Sequence, residues 1–281
     1  MQPVLNTPTR ALAVHGYRPG SARTPGLGVA RGVEARVAWI RLALRDDRLR
    51  LDAQPIVDLH TGERVAEELL LRFIRRDGSV ELPGPYIEAA EHYRLAVELD
   101  EWVLGRAVEL AATGRRVHVN LSGRTVADPS FADTIEAVVG QHDADPSLLT
   151  FEITETAPAL DLPSARLVAE RIVGLGAGLA LDDFGTGYGS LSYLRLLPVT
   201  MVKIDHEFVA DITVDYRSRA IVESIVHIAR RHRKQTVAEG VEDEATMDTL
   251  RECGVELAQG FHIARPLPAR YATGPSARRT A

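Results

Sequence analysis

The chain has 281 residues, 45% hydrophobic and 26% charged, with a formal net charge of −6. That composition describes an ordinary folded domain and excludes collagen, coiled coil and wholesale disorder. The acidic balance argues against DNA or RNA held by non-specific phosphate contacts. No apolar run approaches the ~20 residues of a membrane-spanning helix, so no membrane partner is expected. The one cysteine, Cys253, rules out an internal disulfide and suits a reducing cytosol, so the expected location is cytoplasmic.

Residues 1–32 are rich in Pro, Gly, Thr and Arg, and the first acid is Glu34. They read as a disordered tail, as do the small and basic residues 272–281. The folded domain is expected over 33–271. It opens with Val33, Val37, Ile40 and Leu44 at helical spacing. Short apolar runs then predict strands at Leu49–Val57, Val65–Phe73, Arg116–Leu121, Leu149–Ile153, Gly178–Leu181, Met201–Ile204, Gln235–Ala238 and Glu256–Ala258. Between them lie one-sided stretches: Leu99, Val103, Ala107 and Leu110; Leu167, Val168, Ile172 and Leu175; Ile221, Ile225 and Ile228. Strands alternating with helices imply a parallel sheet. About eight repeats in about 240 residues fit an α/β barrel of (β/α)8 type better than an open sheet. No G-x-G-x-x-G follows an early strand, which argues against a dinucleotide fold.

The strands end in polar residues. Glu68, Asn120, Glu152, Asp182, Asp183, Lys203, Glu239 and Gln259 fall in or just after successive strands. A parallel barrel gathers those ends at one mouth, where barrel enzymes place their sites. Taken singly, each has an ordinary explanation as a cap or a satisfied polar group. Together they are a set of carboxylates that would repel one another without cations. Such oxygen ligands suit hard ions, Mg2+ or Mn2+, and two ions in one site favour phosphoryl displacement. None of the nine histidines forms an H-x-x-x-H pair, so zinc is not expected. His118 and His206 read as packing or rim residues.

At this point the residues resemble the EAL-domain family of cyclic di-GMP phosphodiesterases. The matching segments, in the family's order, are Gln54 to Leu59, Glu68 to Arg72, Leu99 to Leu104, Val119 to Ser122 and Phe151 to Glu155. They continue through Ala180 to Tyr188, Ser190 to Leu194, Val202 to Asp205, Ala238 to Glu242, and Gln259 to Phe261. The resemblance implies a modified TIM-like barrel with one antiparallel strand, and hydrolysis of cyclic di-GMP to linear pGpG. It implies two Mg2+ or Mn2+ ions: Glu68, Asn120, Glu152 and Asp182 on the first, with Asp182 bridging to a second that Asp183 serves. Glu239 matches the acid that holds or activates the attacking water, Lys203 the lysine that steadies it, and Gln259 a residue beside it. Gln54, Leu71 and Arg72 match substrate contacts. Glu155 matches the acid that fixes the loop Phe184 to Leu194 after the fifth strand. A homodimer through that loop and its following helix is implied too.

Four departures from the family pattern stand near these segments, one of them the absence of the usual His-Pro in Phe73 to Gly78. Leu69 replaces an alanine, Ala53 stands where an aromatic is usual, and Gly189 replaces a serine. None removes a ligand. They leave a second expectation open, a domain that binds cyclic di-GMP or a protein without turnover. No cyclase signature is present and the stretch before the barrel is short, so a stand-alone EAL domain is expected.

Overall fold

The computed structural model describes residues 27–154, 161–187 and 190–270. In chain order the elements are α1 (Leu27–Arg45), β1 (Leu49–Asp58), β2 (Arg64–Ile74), β3 (Val80–Glu81), α2 (Gly84–His92), α3 (Ala96–Ala111), β4 (Val117–Leu121), α4 (Gly123–Val126) and α5 (Phe131–His142). A 3-10 turn (Pro146–Leu148) leads to β5 (Leu149–Thr154), α6 (Leu162–Gly174), β6 (Gly178–Phe184), α7 (Ser190–Leu196), β7 (Met201–Ile204), α8 (His206–Val209) and α9 (Tyr216–Arg231). The chain finishes with β8 (Gln235–Ala238), α10 (Glu244–Cys253), β9 (Leu257–Ala258) and β10 (Leu267–Pro268).

Eight strands close a barrel in the order β1-β9-β8-β7-β6-β5-β4-β2, with β2 returning to β1. From β2 through β4 to β9 every neighbouring pair is parallel, whereas β1 is antiparallel to both β2 and β9. This corrects the all-parallel sheet expected from the alternation of elements and matches the one antiparallel strand that the resemblance implied. The cause is local. Only Leu59–Glu63 separates β1 from β2, and a parallel crossover needs a dozen residues or more. The link is therefore a hairpin turn, in which Asp58 accepts from the backbone N–H groups of His60 and Thr61 and Gly62 takes φ 73°.

The expected strands lie where the sequence put them, to within a few residues. α1 begins at Leu27, inside the stretch read as a tail. α2, β3 and β10 were not anticipated. Two helix faces differ in detail: α6 buries Ala165, Val168, Ala169 and Ile172 but exposes Leu167, and α9 buries Val222, Ile225, Val226 and Ala229 but exposes Ile221. Alanines, which carry little hydrophobic signal, complete the real stripes.

The main core lies between barrel and helices. Outward residues of the strands (Val117, Val119, Phe151, Ile153, Leu179, Val202) pack against Leu104, Val108, Ile135, Val168 and Ile172 of the helices. A second cluster joins Val37 and Ile40 of α1, Tyr86 of α2 and Leu99 of α3 to Phe73. The barrel's own interior is closed by Ile56, Ala66, Ala180, Met201, Val237 and Leu257. These six form an apolar layer of the kind that fills barrels of this class.

Candidate metal centre

In a strand, residues two apart share a face. Two residues from each member of the apolar layer stands a polar one: Gln54 beside Ile56, Glu68 beside Ala66, Asp182 beside Ala180, Lys203 beside Met201, Glu239 beside Val237 and Gln259 beside Leu257. Asn120 on β4 and Glu152 on β5 complete the ring. Each of the eight barrel strands thus supplies one polar residue, in the strand or immediately after it. Of these eight all but Asn120 are buried, and Gln54, Glu152, Lys203 and Gln259 have no exposed surface.

Lys203 sits at the centre of the ring. Its Nζ lies 2.6 Å from Glu152 Oε2, 2.5 Å from Glu239 Oε1, 3.2 Å from Asp182 Oδ1 and 3.4 Å from Glu68 Oε2. Around it, Asn120 Nδ2 donates to Glu68 Oε1 at 2.7 Å, and Gln259 Nε2 donates to Glu68 Oε2 at 2.8 Å and to Gln54 Oε1 at 3.1 Å. Gln54 Nε2 in turn donates to the Ala264 carbonyl. Beneath, His118 Nδ1 lies 2.7 Å from Glu152 Oε1.

Asp182 and Asp183 are adjacent, so a regular strand would send them to opposite faces. Two features prevent this. The β6–β7 register shifts between Leu181 and Phe184, and Asp183 takes φ 53°. A bulge of this kind re-aims a side chain, and a left-handed non-glycine residue is strained backbone held by its surroundings. Carboxylate oxygens of Asp182, Asp183 and Glu239 consequently come within 4.8 Å of one another. The β8 and β9 ends are locked together by Gly260. A Cβ there would stand 2.1 Å from the Val241 carbonyl oxygen, and the backbone bonds Val241 N–H to Gln259 O and Gln259 N–H to Ala238 O hold this close approach.

The electrostatics show an excess of acid over base. Burial, then the neighbouring carboxylates, raises Asp182 to about 6 and Asp183 to about 8, and pushes Glu239 well above the ordinary carboxylate range. Burial opposes the charge on Glu152 too, but Lys203 and His118 outweigh it and hold that carboxyl low. Lys203 is held well above its usual value: burial works against its charge and the four carboxylates overcome it. Among the described residues, two buried side-chain oxygens lack a hydrogen-bond partner, Asp182 Oδ1 and Gln259 Oε1; Lys203 faces the first in charge only, at 3.2 Å. Such orphans cost about 1–3 kcal/mol each. Hard oxygen donors, surplus negative charge and orphaned oxygens fit divalent cations such as Mg2+ or Mn2+.

The other assigned residues divide. Arg72 shares the Glu68 face but is engaged: its Nε donates to Asp52 Oδ2 at 3.0 Å and its Nη1 to the Leu71 carbonyl. Leu71 does not share that face. It packs against both hydrophobic clusters between barrel and helices, and alternation puts Leu70 beside Glu68 and Arg72 instead. Leu69, 2% exposed, likewise lies in the outer core, so its departure from the family pattern faces away from the mouth although it adjoins Glu68 in the chain. Ala53 also faces outward. With Pro55, Arg64, Arg115 and Leu267 it lines a cleft of about 600 Å³ on the outer wall of the barrel, not at the carboxylates. Glu155 and Gly189 lie outside the described residues. The sequence reading passed over Asp52, the partner of Arg72, and took His118 for packing or rim, although His118 stands two residues before Asn120 and so shares its face.

A closed barrel with one antiparallel strand and a carboxylate-rich mouth defines a TIM-like domain with a buried acidic cluster that could hold a metal ion. Residues 37–266 match the model of the EAL domain family, and the chain belongs to it. NbdA of Pseudomonas aeruginosa, a cyclic di-GMP phosphodiesterase, is 37% identical over 236 residues, covering 82% of this chain and 30% of that protein. MucR of the same species, a bifunctional diguanylate cyclase and cyclic di-GMP phosphodiesterase, is 35% identical over 237 residues, covering 82% and 35%. The chain therefore spans about a third of the length of these relatives. The structure of the MucR phosphodiesterase in complex with c-di-GMP superposes with a TM-score of 0.78 at 34% identity, covering 84% of this chain and 98% of the other. The FimX EAL domain from Pseudomonas aeruginosa, bound to c-di-GMP, gives 0.78 at 25% identity, covering 85% and 99%.

Proposed function

We propose that this chain hydrolyses one phosphodiester of cyclic di-GMP to give linear pGpG, using two divalent cations. The observation that carries the reading is the complete polar ring, one residue from each barrel strand. Glu68, Asn120, Glu152 and Asp182 would hold the first Mg2+ or Mn2+, and Asp182 and Asp183 the second. When bound, the pair of ions supplies charge neutralisation of the phosphate and a bound water of lowered pKa.

The residues supply the rest. Glu239, buried and of raised proton affinity, would accept the proton of the attacking water. Oxygen from that water joins phosphorus, the P–O3′ bond breaks, and a proton returns to the leaving O3′. Lys203 sets a positive charge where the phosphate gains negative charge, and Gln259 orients groups beside it. Gln54 and Arg72 would contact the substrate, with Arg72 held by Asp52. The apolar contact assigned to Leu71 passes to Leu70. Glu155 as the residue fixing the Phe184 to Leu194 loop, a homodimer through that loop and α7, and a cytoplasmic location stay part of the proposal. No helix among the described residues is long and apolar enough to cross a membrane.

The test incubates purified protein with cyclic di-GMP and Mg2+ or Mn2+ and follows products by chromatography, with EDTA and Lys203→Ala controls. Metal-dependent pGpG that disappears in both controls is the expected result. Saturable binding of cyclic di-GMP without product would overturn hydrolysis and leave a binding module.

A further inference from the structure

Glu152 has no exposed surface, and both of its oxygens are engaged, Oε2 by Lys203 at 2.6 Å and Oε1 by His118 Nδ1 at 2.7 Å. His118 is itself 3% exposed. An ionised carboxylate has no proton to give, so the Nδ1 of His118 carries it and donates. The two contacts differ in what surrounds them. Oε2 points into the ring, where Glu68, Asp182 and Glu239 also reach Lys203 Nζ. Oε1 meets His118 of β4, two residues before the ring member Asn120.

The terminal torsion of a glutamate is broad. An unrestrained carboxylate could rotate and offer a cation either oxygen, or both at once. Bidentate binding spends two coordination positions at a narrow angle. That suits the irregular shell of Ca2+, not the near-octahedral shell that Mg2+ demands. A donor fixed on Oε1 removes that choice.

We propose that His118 is a positioning residue for the metal centre: by holding Oε1 of Glu152 it makes that glutamate a one-oxygen ligand through Oε2. The inference rests on the metal-binding reading above. It concerns His118 alone, and partners of this type that orient a ligand typically govern metal affinity by about 10–100-fold.

The test is calorimetric titration of Mn2+, and separately Mg2+ and Ca2+, into the nucleotide-free full chain. The variants are His118→Ala, His118→Asn and His118→Gln, each checked for folding by circular dichroism. Asparagine places an amide N–H where Nδ1 stands, whereas glutamine carries it one methylene further. The expected result is that His118→Asn stays within a few fold of the natural protein. His118→Ala and His118→Gln should bind Mn2+ and Mg2+ about 10–100-fold more weakly and lose less for Ca2+, with kcat recovering at saturating metal. If alanine prevents folding, the asparagine and glutamine variants alone decide. Unchanged Mn2+ affinity in folded His118→Ala or His118→Gln protein would overturn this inference and leave the metal centre standing. No ion binding by the natural protein would overturn both.

Discussion

Two layers of the barrel interior, one step of two residues apart, are opposite in character. The lower is apolar: Ile56, Ala66, Ala180, Met201, Val237 and Leu257. The upper, Gln54, Glu68, Asp182, Lys203, Glu239 and Gln259 with Asn120 and Glu152, is a buried charge cluster around one ammonium. The separation is roughly 7 Å of strand. The lower layer stabilises by burial and makes the floor low in dielectric. The upper layer, resting on that floor, is destabilising on its own terms, with raised carboxyl pKa values and orphaned oxygens. Folding strength and chemistry are thus assigned to alternate residues of the same strands.

The contrast can be broken from above first. Glu239→Gln should lower kcat about 10²–10⁴-fold while the melting temperature holds or rises, as measured by product chromatography and thermal unfolding. Lys203→Met should strip the cation from four carboxylates and cost the metal-free protein about 3–5 kcal/mol in urea unfolding, with part of the loss recovered on adding Mn2+. From below, Met201→Ala should remove about 2–5 kcal/mol of stability yet leave kcat per folded molecule within a few fold, read by denaturation and active-site titration.

A carboxylate outside both layers sharpens the comparison. Asp100 of α3 is buried and accepts from Ser122 N–H at 2.9 Å and from the Thr125 hydroxyl at 2.5 Å. Burial raises it from 3.8 to about 6, against those hydrogen bonds. Its folded pKa lies above its unfolded one, so the folded state binds the extra proton. Its contribution is most favourable below about pH 4 and is lost as pH climbs through 6. Asp100→Asn should therefore stabilise the protein at pH 8 by up to about 3 kcal/mol, the gain vanishing toward pH 4 in thermal melts. That difference should not respond to Mn2+, whereas stability changes at Asp182 and Asp183 should.

Much of this was legible in the residues. The polar ends of successive strands announced the ring, and the matching segments announced the family. The resemblance already implies the antiparallel strand and the Asp183 ligand; what periodicity alone does not carry has local reasons. The hairpin Leu59–Glu63 reverses β1, a fact of loop length that strand periodicity does not carry. β3 and β10 have two residues each, too few for any period. Asp183 enters the mouth only through a bulge and a left-handed backbone, which no alternation rule anticipates. Leu71, Leu69 and Ala53 are the opposite case. Counting by two from Glu68 and Gln54 sends all three outward and brings Leu70 in. The same count from Asn120 brings in His118.

The most direct measurement of the central claim is a crystal soaked in Mn2+ and read by anomalous scattering. Two peaks should lie in the upper layer, one against Glu68, Asn120, Glu152 and Asp182, the other against Asp182 and Asp183, with Lys203 drawn off part of its carboxylate set. A mouth without anomalous density at saturating Mn2+, with Lys203 still holding all four carboxylates, would contradict it.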